Sequence, residues 1–390
     1  MCARDDQKPD QASVDAGTEA AGGGAEFRRQ KTRAVVLAGV HAWGNCALEE
    51  LVCRPLLPIA SRPLIWHTLN WARRNGIHEA SICGNSDTGV LRRALGNCAG
   101  LDMSLAYSED VMPRGPAGCA RDAVIPTDAE TVIVIDGTIV PCIDIDALLR
   151  AHEETQAAVT IVVGPTVAEK PDNNQLEPIG VYVFSRSALE RVPDAGYQDI
   201  KEALIPALYR AGERVVPHVV NTSSAPRVTD AASYLAVNMW VIENLAMAGC
   251  VPASYVRIGD AWVDSTAQIA ESARFVGPVL IGPNTVVKEG ALIVGPTTVG
   301  AGCTIGAQSV ISRCAVWNKC NVGDNTILDQ CVVTDDAVVD SDLVVRETVF
   351  VPPRRPERKL LGRLAAFCRP GSRRNPSARN LQSEPSPLQA

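Results

Sequence analysis

The chain has 390 residues and a formal net charge of −7, with 46% hydrophobic and 21% charged residues, as in a globular protein of two domains with tails. No run approaches the ~18 apolar residues of a membrane span. Residues 1–30 lack a secretion-signal pattern, so we expect a cytoplasmic protein. The negative charge argues against general nucleic-acid binding. The 13 cysteines are scattered without a C-x-x-C pair, which predicts buried reduced thiols rather than a metal or redox cluster.

The first two thirds of the chain predict an α/β domain. Residues 1–32 are rich in Asp, Ala, Gly and Gln without periodicity, and we expect a disordered tail there. Buried-strand patterns then alternate with helical patterns, which predicts a parallel sheet covered by helices over residues 33–248. The strands are predicted at 33–39, 79–83, 103–107, 131–136, 158–163 and 179–184. A loop over residues 54–67 is predicted to enter a helix that runs to about residue 76, and further helices are predicted at 91–95, 144–152, 197–210 and 234–247.

From Val263 the sequence repeats every six residues. Bulky apolar residues recur at Val263, Ile269, Phe275, Ile281, Val287, Ile293, Val299, Ile305 and Ile311, and small residues follow four later at Ala267, Ala273, Val279, Thr285, Ala291, Thr297, Cys303, Ser309 and Ala315. This is the hexapeptide repeat of a left-handed parallel β-helix, in which the bulky residue fills the core and the small one fits the corner. The repeat slips by one residue at Val316 and resumes at Val322, Leu328 and Thr334. We expect about four coils within residues 249–350.

The loop after the first strand carries a family signature. It reads Leu37-Ala38-Gly39, then Leu48, then Pro55-Leu-Leu-Pro-Ile59. This segment resembles the sugar-1-phosphate nucleotidyltransferases, or NDP-sugar pyrophosphorylases, especially the mannose-1-phosphate guanylyltransferase type. Their signature, L-A-G-G-x-G-T-R-L-x-P-L-T-x-x-x-P-K-P-L-L-P-I, overlays residues 37–59 without a gap. The resemblance implies a Rossmann-like nucleotidyltransferase (nucleotide-diphospho-sugar transferase) α/β domain followed by the β-helix.

The residues that carry the chemistry of this signature are changed. Val40 and Ala42 replace its second and third glycines, Trp43-Gly44 replaces the Thr-Arg pair, and Cys53-Arg54 replaces Pro-Lys. Glycines in such a loop let backbone N–H groups approach phosphates closely, whereas Val and Trp block that approach. Arg54 keeps the charge of the lysine but alters its reach.

The resemblance also implies a set of binding residues. The segment 113–121 resembles the turn that reads the nucleotide base together with a nearby acid or amide, here Glu109 or Asp110; a Gly-Pro loop that merely opens a helix is the open alternative. Asp136-Gly137-Thr138 stands in place of the metal-binding N-G-D motif. The implied nucleotide-binding residues are Leu37, Ala38, Gly39, Arg54, Glu109, Asp110, Gly115 and Asp136. Arg54 and Asp136 are the best remaining catalytic candidates.

The sugar-phosphate side is implied in the same way. Its residues are Glu169, Lys170, Gly180 and Arg227. Arg227 falls where the family has its second metal-binding Asp, and a guanidinium repels Mg²⁺ but can hold a phosphate. No residue is assigned to a metal, so we expect no cofactor, with Mg²⁺ as the ion of an active enzyme.

Residues 351–390 form a basic tail. Its cations are Arg354, Arg355, Arg358, Lys359, Arg363, Arg369, Arg373, Arg374 and Arg379, and Leu360, Leu361, Leu364 and Phe367 fit one stripe of a short amphipathic helix. The tail is interpreted as disordered, with contact to an acidic partner or a membrane surface as the alternative.

Three functions compete. A non-catalytic paralogue, regulatory or assembling, is favoured because fold-defining residues persist where chemical ones are lost. It would bind a nucleotide sugar and form a homo-oligomer, or a hetero-oligomer with an active nucleotidyltransferase. The second is an active sugar-1-phosphate nucleotidyltransferase, of the mannose- or glucose-1-phosphate type, in nucleotide-sugar and cell-surface polysaccharide biosynthesis. The third is a hexapeptide acyltransferase, disfavoured because all five histidines precede the β-helix.

Overall fold

A computed structural model describes residues 31–39, 48, 51–84, 88–96, 101–109, 113–165, 176–220, 226–244, 251 and 253–352. The strands of its α/β part are β1 (Thr32–Leu37), β2 (Pro58–Ile59), β3 (Arg62–Pro63), β4 (Glu79–Gly84), β5 (Ser104–Glu109), β6 (Thr131–Asp136), β7 (Val159–Pro165), β8 (Leu176–Ser185) and β9 (Val215–Val219). The helices are α1 (Leu64–Arg74), α2 (Thr88–Gly96), α3 (Gly115–Val124), α4 (Ile145–Glu154), α5 (Arg186–Glu190), α6 (Ile205–Arg210) and α7 (Ala231–Glu243). None of the helices in these residues is long and apolar enough to cross a membrane.

Seven strands form one mixed sheet in the order β5-β4-β1-β6-β8-β7-β9. The predicted apolar runs of β1, β4 and β6 pair in parallel at its centre, with both faces covered. β8 runs antiparallel to both of its neighbours, which the sequence pattern did not distinguish. The carboxyl ends of β1 and β6 therefore meet at one edge of the sheet, next to the start of β8.

Two predicted helices differ in their bounds. The helix expected over 197–210 begins at a π-helical turn, Ile200–Leu204, because the Asp199 side chain accepts the Lys201 and Glu202 N–H groups and starts the helix there. The helix expected from Tyr234 begins three residues earlier, where Asp230 and Ser233 form a capping box. Its predicted end, Met247, lies outside the described residues.

The predicted parallel β-helix is confirmed. Its strands are β10 (Tyr255–Ile258), β11 (Ala261–Asp264), β12 (Gln268–Ile269), β13 (Arg274–Val276), β14 (Val279–Ile281), β15 (Val286–Val287), β16 (Leu292–Val294), β17 (Thr297–Val299), β18 (Thr304–Ile305), β19 (Val310–Ser312), β20 (Ala315–Val316), β21 (Asn321–Val322), β22 (Ile327–Asp329), β23 (Val332–Val333), β24 (Val338–Val339), β25 (Val344–Arg346) and β26 (Val349–Phe350). They form three sheets, here called face 1 (β11-β14-β17-β20-β23-β26, extended by β10), face 2 (β12-β15-β18-β21-β24) and face 3 (β13-β16-β19-β22-β25). The solenoid thus has five complete coils, not the four expected.

The predicted core positions of the solenoid are confirmed through Leu328. The prediction for the next core position, Thr334, was wrong. Val333, fully buried, takes the core position expected for Thr334. The corner between faces 3 and 1 is one residue shorter in the later coils, so paired residues lie 18 apart in the first coils and 17 apart later. In the next coil Cys314 takes the corner position that Thr297 holds in the coil before it. Ala315, the residue expected at this corner, lies in strand β20 instead.

Helix α7 joins the α/β part to face 1 of the solenoid. Asn238 accepts the Ala60 N–H at 2.9 Å and donates to the Thr298 hydroxyl at 2.8 Å. Tyr234 donates to the Pro58 carbonyl at 2.7 Å and accepts the Trp317 indole N–H at 2.8 Å. We call this buried set of hydrogen bonds the seam network. It lets α7 bury polar groups between the β2–β3 hairpin and the solenoid without leaving them unpaired.

Candidate functional site

The carboxyl end of β6 carries the main cluster of predicted site residues. Asp136 ends the strand, and its Oδ1 accepts both the N–H of Thr138 at 2.9 Å and the Thr138 hydroxyl at 2.7 Å. Arg227 forms an ion pair with the other oxygen of Asp136 and donates to the Thr138 hydroxyl at 3.1 Å. We call these three side chains the edge network.

Local backbone geometry holds Arg227 in this place. Ile139 and Arg227 form an isolated antiparallel bridge, which aligns the segment before α7 with the segment after β6. The guanidinium also donates to the Ile179 carbonyl at 2.9 Å. Gly180 has φ +93°, and a Cβ there would overlap the guanidinium. The glycine therefore makes room for Arg227, which gives Gly180 a role beside the network.

The edge network favours an ionised carboxylate. Burial raises the pKa of Asp136, but the charge of Arg227 and the hydrogen bonds from Arg227 and Thr138 outweigh it, so the pKa lies below its ordinary value of 3.8. The pKa of Tyr182 is raised, first by burial and also by Asp136, with Arg227 opposing. At neutral pH the site thus contains one carboxylate and one guanidinium that neutralise each other.

These residues do not fit a divalent metal. Mg²⁺ takes oxygen ligands in near-octahedral geometry, usually from carboxylates and phosphates. Here Thr138 and Arg227 stand at the two positions where the resemblance implies a metal-binding carboxylate, and the nearby carboxylate of Asp136 is already paired with a guanidinium. Within the described ranges, no group of three or more His, Cys, Asp or Glu residues could hold a metal ion.

The signature strand borders the edge network. Leu37 is the register partner of Asp136 and accepts the N–H of Gly137 at 2.9 Å. The Ala38 N–H donates to the carbonyl of Cys83 at 2.7 Å, and Gly39 follows it. Leu37, Ala38 and Gly39 therefore lie at the same sheet edge as Asp136, with the Ala38 amide engaged in the fold.

Two other predicted residues lie farther along the chain or the sheet. Glu109 ends β5, three strands from β6, so it stands about 14 Å from Asp136 along the sheet edge. Arg54 is half-buried and begins the 3₁₀ turn Arg54–Leu56 that leads into the hairpin. The structure brings Asp136, Gly180 and Arg227 into contact, and it places Glu109 at a distance that a nucleotide, rather than a single phosphate, would span.

The loop around Gly115 serves the fold. Gly115 has φ +73°, and a Cβ there would lie 2.6 Å from the carbonyl oxygen of Gln198. The Gln198 N–H donates to the Arg114 carbonyl at 2.7 Å, and the Ala117 N–H donates to Gln198 at 3.0 Å. These bonds tie the start of α3 to the segment before the π-helical turn, as the helix-opening interpretation of this Gly-Pro loop predicts.

Several predicted residues lie outside the described residues. They are Val40, Ala42, Trp43, Gly44, Asp110, Glu169 and Lys170. The blocked phosphate loop and the Glu-Lys pair therefore stay predictions.

Sequence reasoning missed the pairing of Asp136 with Arg227. It treated Asp136 as a nucleotide-binding residue and catalytic candidate and Arg227 as a phosphate-binding cation, each by itself. The sequence did contain a signal for this pair. Arg227 stands at one of the implied metal-ligand positions and Asp136 lies beside the other, so opposite charges occupy two positions that the resemblance places close together.

Two family models match the chain. One, described as Nucleotidyl transferase, matches residues 34–174, which include β1 and the edge residue Asp136. The other, described as the GMPPB C-terminal domain, matches residues 257–360, which include the solenoid. The two matches follow the same order along the chain as the α/β part and the β-helix.

Similar proteins agree with these matches. Mannose-1-phosphate guanylyltransferase of Mycobacterium tuberculosis is 24% identical over 300 residues, covering 70% of this chain and 82% of that protein. Mannose-1-phosphate guanylyltransferase 1 of Arabidopsis thaliana is 21% identical, covering 73% and 81%. The bifunctional protein GlmU of Exiguobacterium sibiricum is 23% identical, covering 71% and 66%.

Both family models and the similar proteins support a relation of this chain to the sugar-1-phosphate nucleotidyltransferases. The fold of the chain is the Rossmann-like nucleotidyltransferase domain followed by a left-handed β-helix, as the sequence resemblance implied.

Proposed function

We propose that this chain is a non-catalytic member of the family that binds a nucleotide sugar without a divalent metal and acts as a regulatory or assembly subunit. The observation that carries the proposal is the edge network, in which the Arg227 guanidinium lies against Asp136 and Thr138. Phosphoryl transfer depends on charge stabilisation at the reacting phosphates, usually by bound metal. A fixed guanidinium can hold a diphosphate but cannot activate it as Mg²⁺ does.

A ligand diphosphate would compete with Asp136 for Arg227. Both side chains are 34% exposed, so water and ligand reach the pair. A phosphate oxygen offers the guanidinium the same fork-like acceptor geometry as a carboxylate. Binding would therefore exchange one anion for another at Arg227, with Thr138 retaining its hydrogen bond to Asp136. Glu109, farther along the sheet edge, would lie toward the nucleoside.

The partners are proposed on the same basis. Two of the similar proteins are named mannose-1-phosphate guanylyltransferase. A subunit that keeps the fold without the metal site is suited to assemble with such an enzyme or with a second copy of itself. A cytoplasmic location, the absence of nucleic-acid binding and contact of the basic tail with an acidic partner or a membrane surface stay proposals. Residues 353–390 lie outside the described residues.

The second candidate is an active nucleotidyltransferase, favoured by the Nucleotidyl transferase match over residues 34–174 and by the retained cation at Arg54. The acyltransferase alternative lacks a histidine in the solenoid sequence.

Turnover separates the first two candidates. We expect no pyrophosphate release from common NTPs and sugar-1-phosphates with Mg²⁺ or Mn²⁺, because removing preorganised charge stabilisation typically costs ~10²–10³ in rate at each point. Coupled pyrophosphate detection on the purified chain measures this. Steady turnover that Asp136→Ala abolishes would establish the active enzyme instead.

Binding tests the proposal directly. Calorimetry with a panel of NTPs and NDP-sugars should give the same affinity in Mg²⁺ and in EDTA. We expect Arg227→Met to abolish binding and Asp136→Asn to tighten it, because the amide no longer competes as an anion for the guanidinium. Arg210→Met, at an exposed arginine that ends α6, serves as the matched control. Binding that requires Mg²⁺, or that survives Arg227→Met, would contradict the proposal.

A further inference from the structure

Two corners of the solenoid contain stacked pairs of cysteines. Cys303 and Cys320 lie at the corner between faces 1 and 2, and Cys314 and Cys331 lie at the corner between faces 3 and 1, all of them buried. Within each pair, side chains from consecutive coils stack so that the two thiols are in hydrogen-bond contact. These four thiols belong neither to the edge network nor to the seam network, so the functions assigned above leave them unexplained.

The corner position does not by itself require a thiol. One coil before Cys314, the same corner has Thr297, whose hydroxyl accepts the Cys314 N–H at 3.2 Å. The Cys314 sulfur accepts the Cys331 N–H in the same way, at 3.3 Å. At the corner between faces 2 and 3, Ser309 fills the equivalent buried position. A hydroxyl therefore satisfies a corner, and two thiols in contact add a capacity that hydroxyls lack, which is a covalent bond between coils.

The backbone places Cys314 and Cys331 at a separation that suits a disulfide. Strands β20 and β23 pair in register, Ala315 with Val332, so the cysteines that directly precede these residues lie one rung apart, at ~4.8 Å. Disulfides join residues whose Cα atoms are about 4.4–6.8 Å apart and whose Cβ atoms are about 3.5–4.5 Å apart. The Cα separation lies within this range, and the Cβ atoms of the stacked side chains need to approach by less than about 1 Å.

The two pairs of cysteines differ in what covers them. The turn at residues 347–350 stacks on Cys331, and the Thr348 N–H donates to its sulfur. This turn is the last of the stack within residues 253–352, and a terminal repeat opens at a lower free energy than an interior coil because it has a neighbour on one side. Cys320 is instead covered by Ala337, which lies inside the fifth coil between β23 and β24. A small reagent should therefore reach Cys331 before Cys320.

Cys331 is also the better nucleophile of its pair. The hydrogen bond from the Cys314 thiol outweighs burial and holds the pKa of Cys331 below its ordinary value of 9. Burial raises the pKa of Cys314. The thiolate is the attacking species in thiol–disulfide exchange, so Cys331 reacts first and Cys314 resolves the intermediate.

We propose that Cys314 and Cys331 are a site of reversible oxidation, at which a small disulfide converts the two thiols into a disulfide bond. The Cys331 thiolate attacks one sulfur of the reagent, forms a mixed disulfide and releases one reagent thiolate. The Cys314 thiolate then attacks the Cys331 sulfur and releases the second. The cysteines lose two protons and two electrons, and the reagent is reduced to two thiols, which take up the two protons.

The bond closes one complete coil, β20 to β22, into a covalent ring. Unravelling of the solenoid from its C-terminal side then stops at Cys331, because that residue is bonded to the preceding corner. A cross-link over 17 residues also removes conformational entropy from the unfolded chain, so we expect oxidation to raise the melting temperature by several degrees. Dithiothreitol should reverse the change. This inference is independent of the nucleotide site.

Peptide mapping tests the site. The full chain, freed of reductant, is treated with bis(2-hydroxyethyl) disulfide, and the remaining thiols are blocked with N-ethylmaleimide in urea before digestion. We expect peptides linked through Cys314 and Cys331 to appear before any link between Cys303 and Cys320. A mixed disulfide at the exposed Cys142 shows that the reagent has reacted. Modified Cys142 without the link between Cys314 and Cys331, or an earlier link between Cys303 and Cys320, would overturn the proposal.

Serine variants test the effect on stability. Ser309 shows that a corner accepts serine, so Cys314→Ser and its matched control Cys303→Ser should both fold. Calorimetry with and without dithiothreitol should show that oxidation raises the melting temperature of the parent and of Cys303→Ser and leaves that of Cys314→Ser unchanged. An equal rise in Cys314→Ser would assign the effect to other cysteines and overturn the proposal. If Cys314→Ser does not fold, the peptide map of the parent decides.

Discussion

The edge network and the seam network differ in their access to solvent. The edge network leaves the side chains of Asp136 and Arg227 each 34% exposed. In the seam network, Tyr234 and Asn238 are fully buried and Trp317 is 5% exposed. An exposed ion pair can exchange one partner for a ligand, whereas a buried set of hydrogen bonds cannot open without leaving polar groups unpaired. We therefore assign binding to the edge network and domain attachment to the seam network.

The largest expected effect comes from a substitution in the core of the solenoid, the domain that the seam network attaches to the α/β part. Ile293 is fully buried in the solenoid core. Ile293→Asp buries a charge without a partner, and we expect a loss of several kcal/mol in the free energy of unfolding. Urea denaturation followed by circular dichroism measures this, with the exposed Val338→Asp as the control. A variant that unfolds at the parent's urea midpoint would show that the core register is wrong.

Acid should lower the free energy of unfolding through His67, which lies beside the hairpin of the seam network, before it affects the edge network. His67 is buried behind the hairpin, with its Nε2 2.9 Å from the Ile59 carbonyl, and burial lowers its pKa from 6.5 to about 4. Stability from neutral His67 is full above pH 6.5 and is lost as the pH falls toward 4, by about 3 kcal/mol in total.

Denaturation midpoints across this pH window measure that contribution. His67→Gln should flatten the dependence between pH 6.5 and 4. His152, whose pKa is also lowered to about 4 by burial, should keep its own share of the slope in that variant. An unchanged slope in His67→Gln would show that the pKa of His67 is not lowered in the folded protein.

The smallest effect distinguishes the two networks directly. Asn238→Leu leaves the Ala60 N–H and the Thr298 hydroxyl without partners, and we expect a loss of about 1–3 kcal/mol. Arg227→Met should cost less, because water reaches Asp136 once the guanidinium is gone. Urea denaturation and ligand calorimetry on the same samples check both. If Arg227→Met destabilised the protein more than Asn238→Leu, the edge network would be structural.

The repeat made most of the solenoid predictable. Its six-residue spacing gave the core positions from Val263 to Leu328, because each position has a steric requirement that the residue type reveals. The second slip was missed because Val333 and Thr334 are both β-branched, so the pattern accepts either at the core position. The shortened corner at Cys314 is a backbone feature, which residue size does not report.

The sheet edge was less predictable. The family resemblance pointed to Leu37, Asp136, Gly180 and Arg227, because strand order brings motif positions together in a known fold. The ion pair between Asp136 and Arg227 depends on a tertiary contact across 91 residues, and the antiparallel course of β8 depends on its pairing with β6, a strand 46 to 54 residues earlier in the chain. A motif compared one position at a time does not contain that information.

The seam network has a consequence for synthesis of the chain. Helix α7 packs between the hairpin and face 1, but Trp317 is made about 80 residues after Asn238. At ~5–20 residues per second, the apolar surface of α7 that the solenoid covers stays open for roughly 4–16 s on the ribosome. The α/β part released alone would expose that surface permanently, so expression of residues 1–248 without the solenoid should require a chaperone or give aggregates.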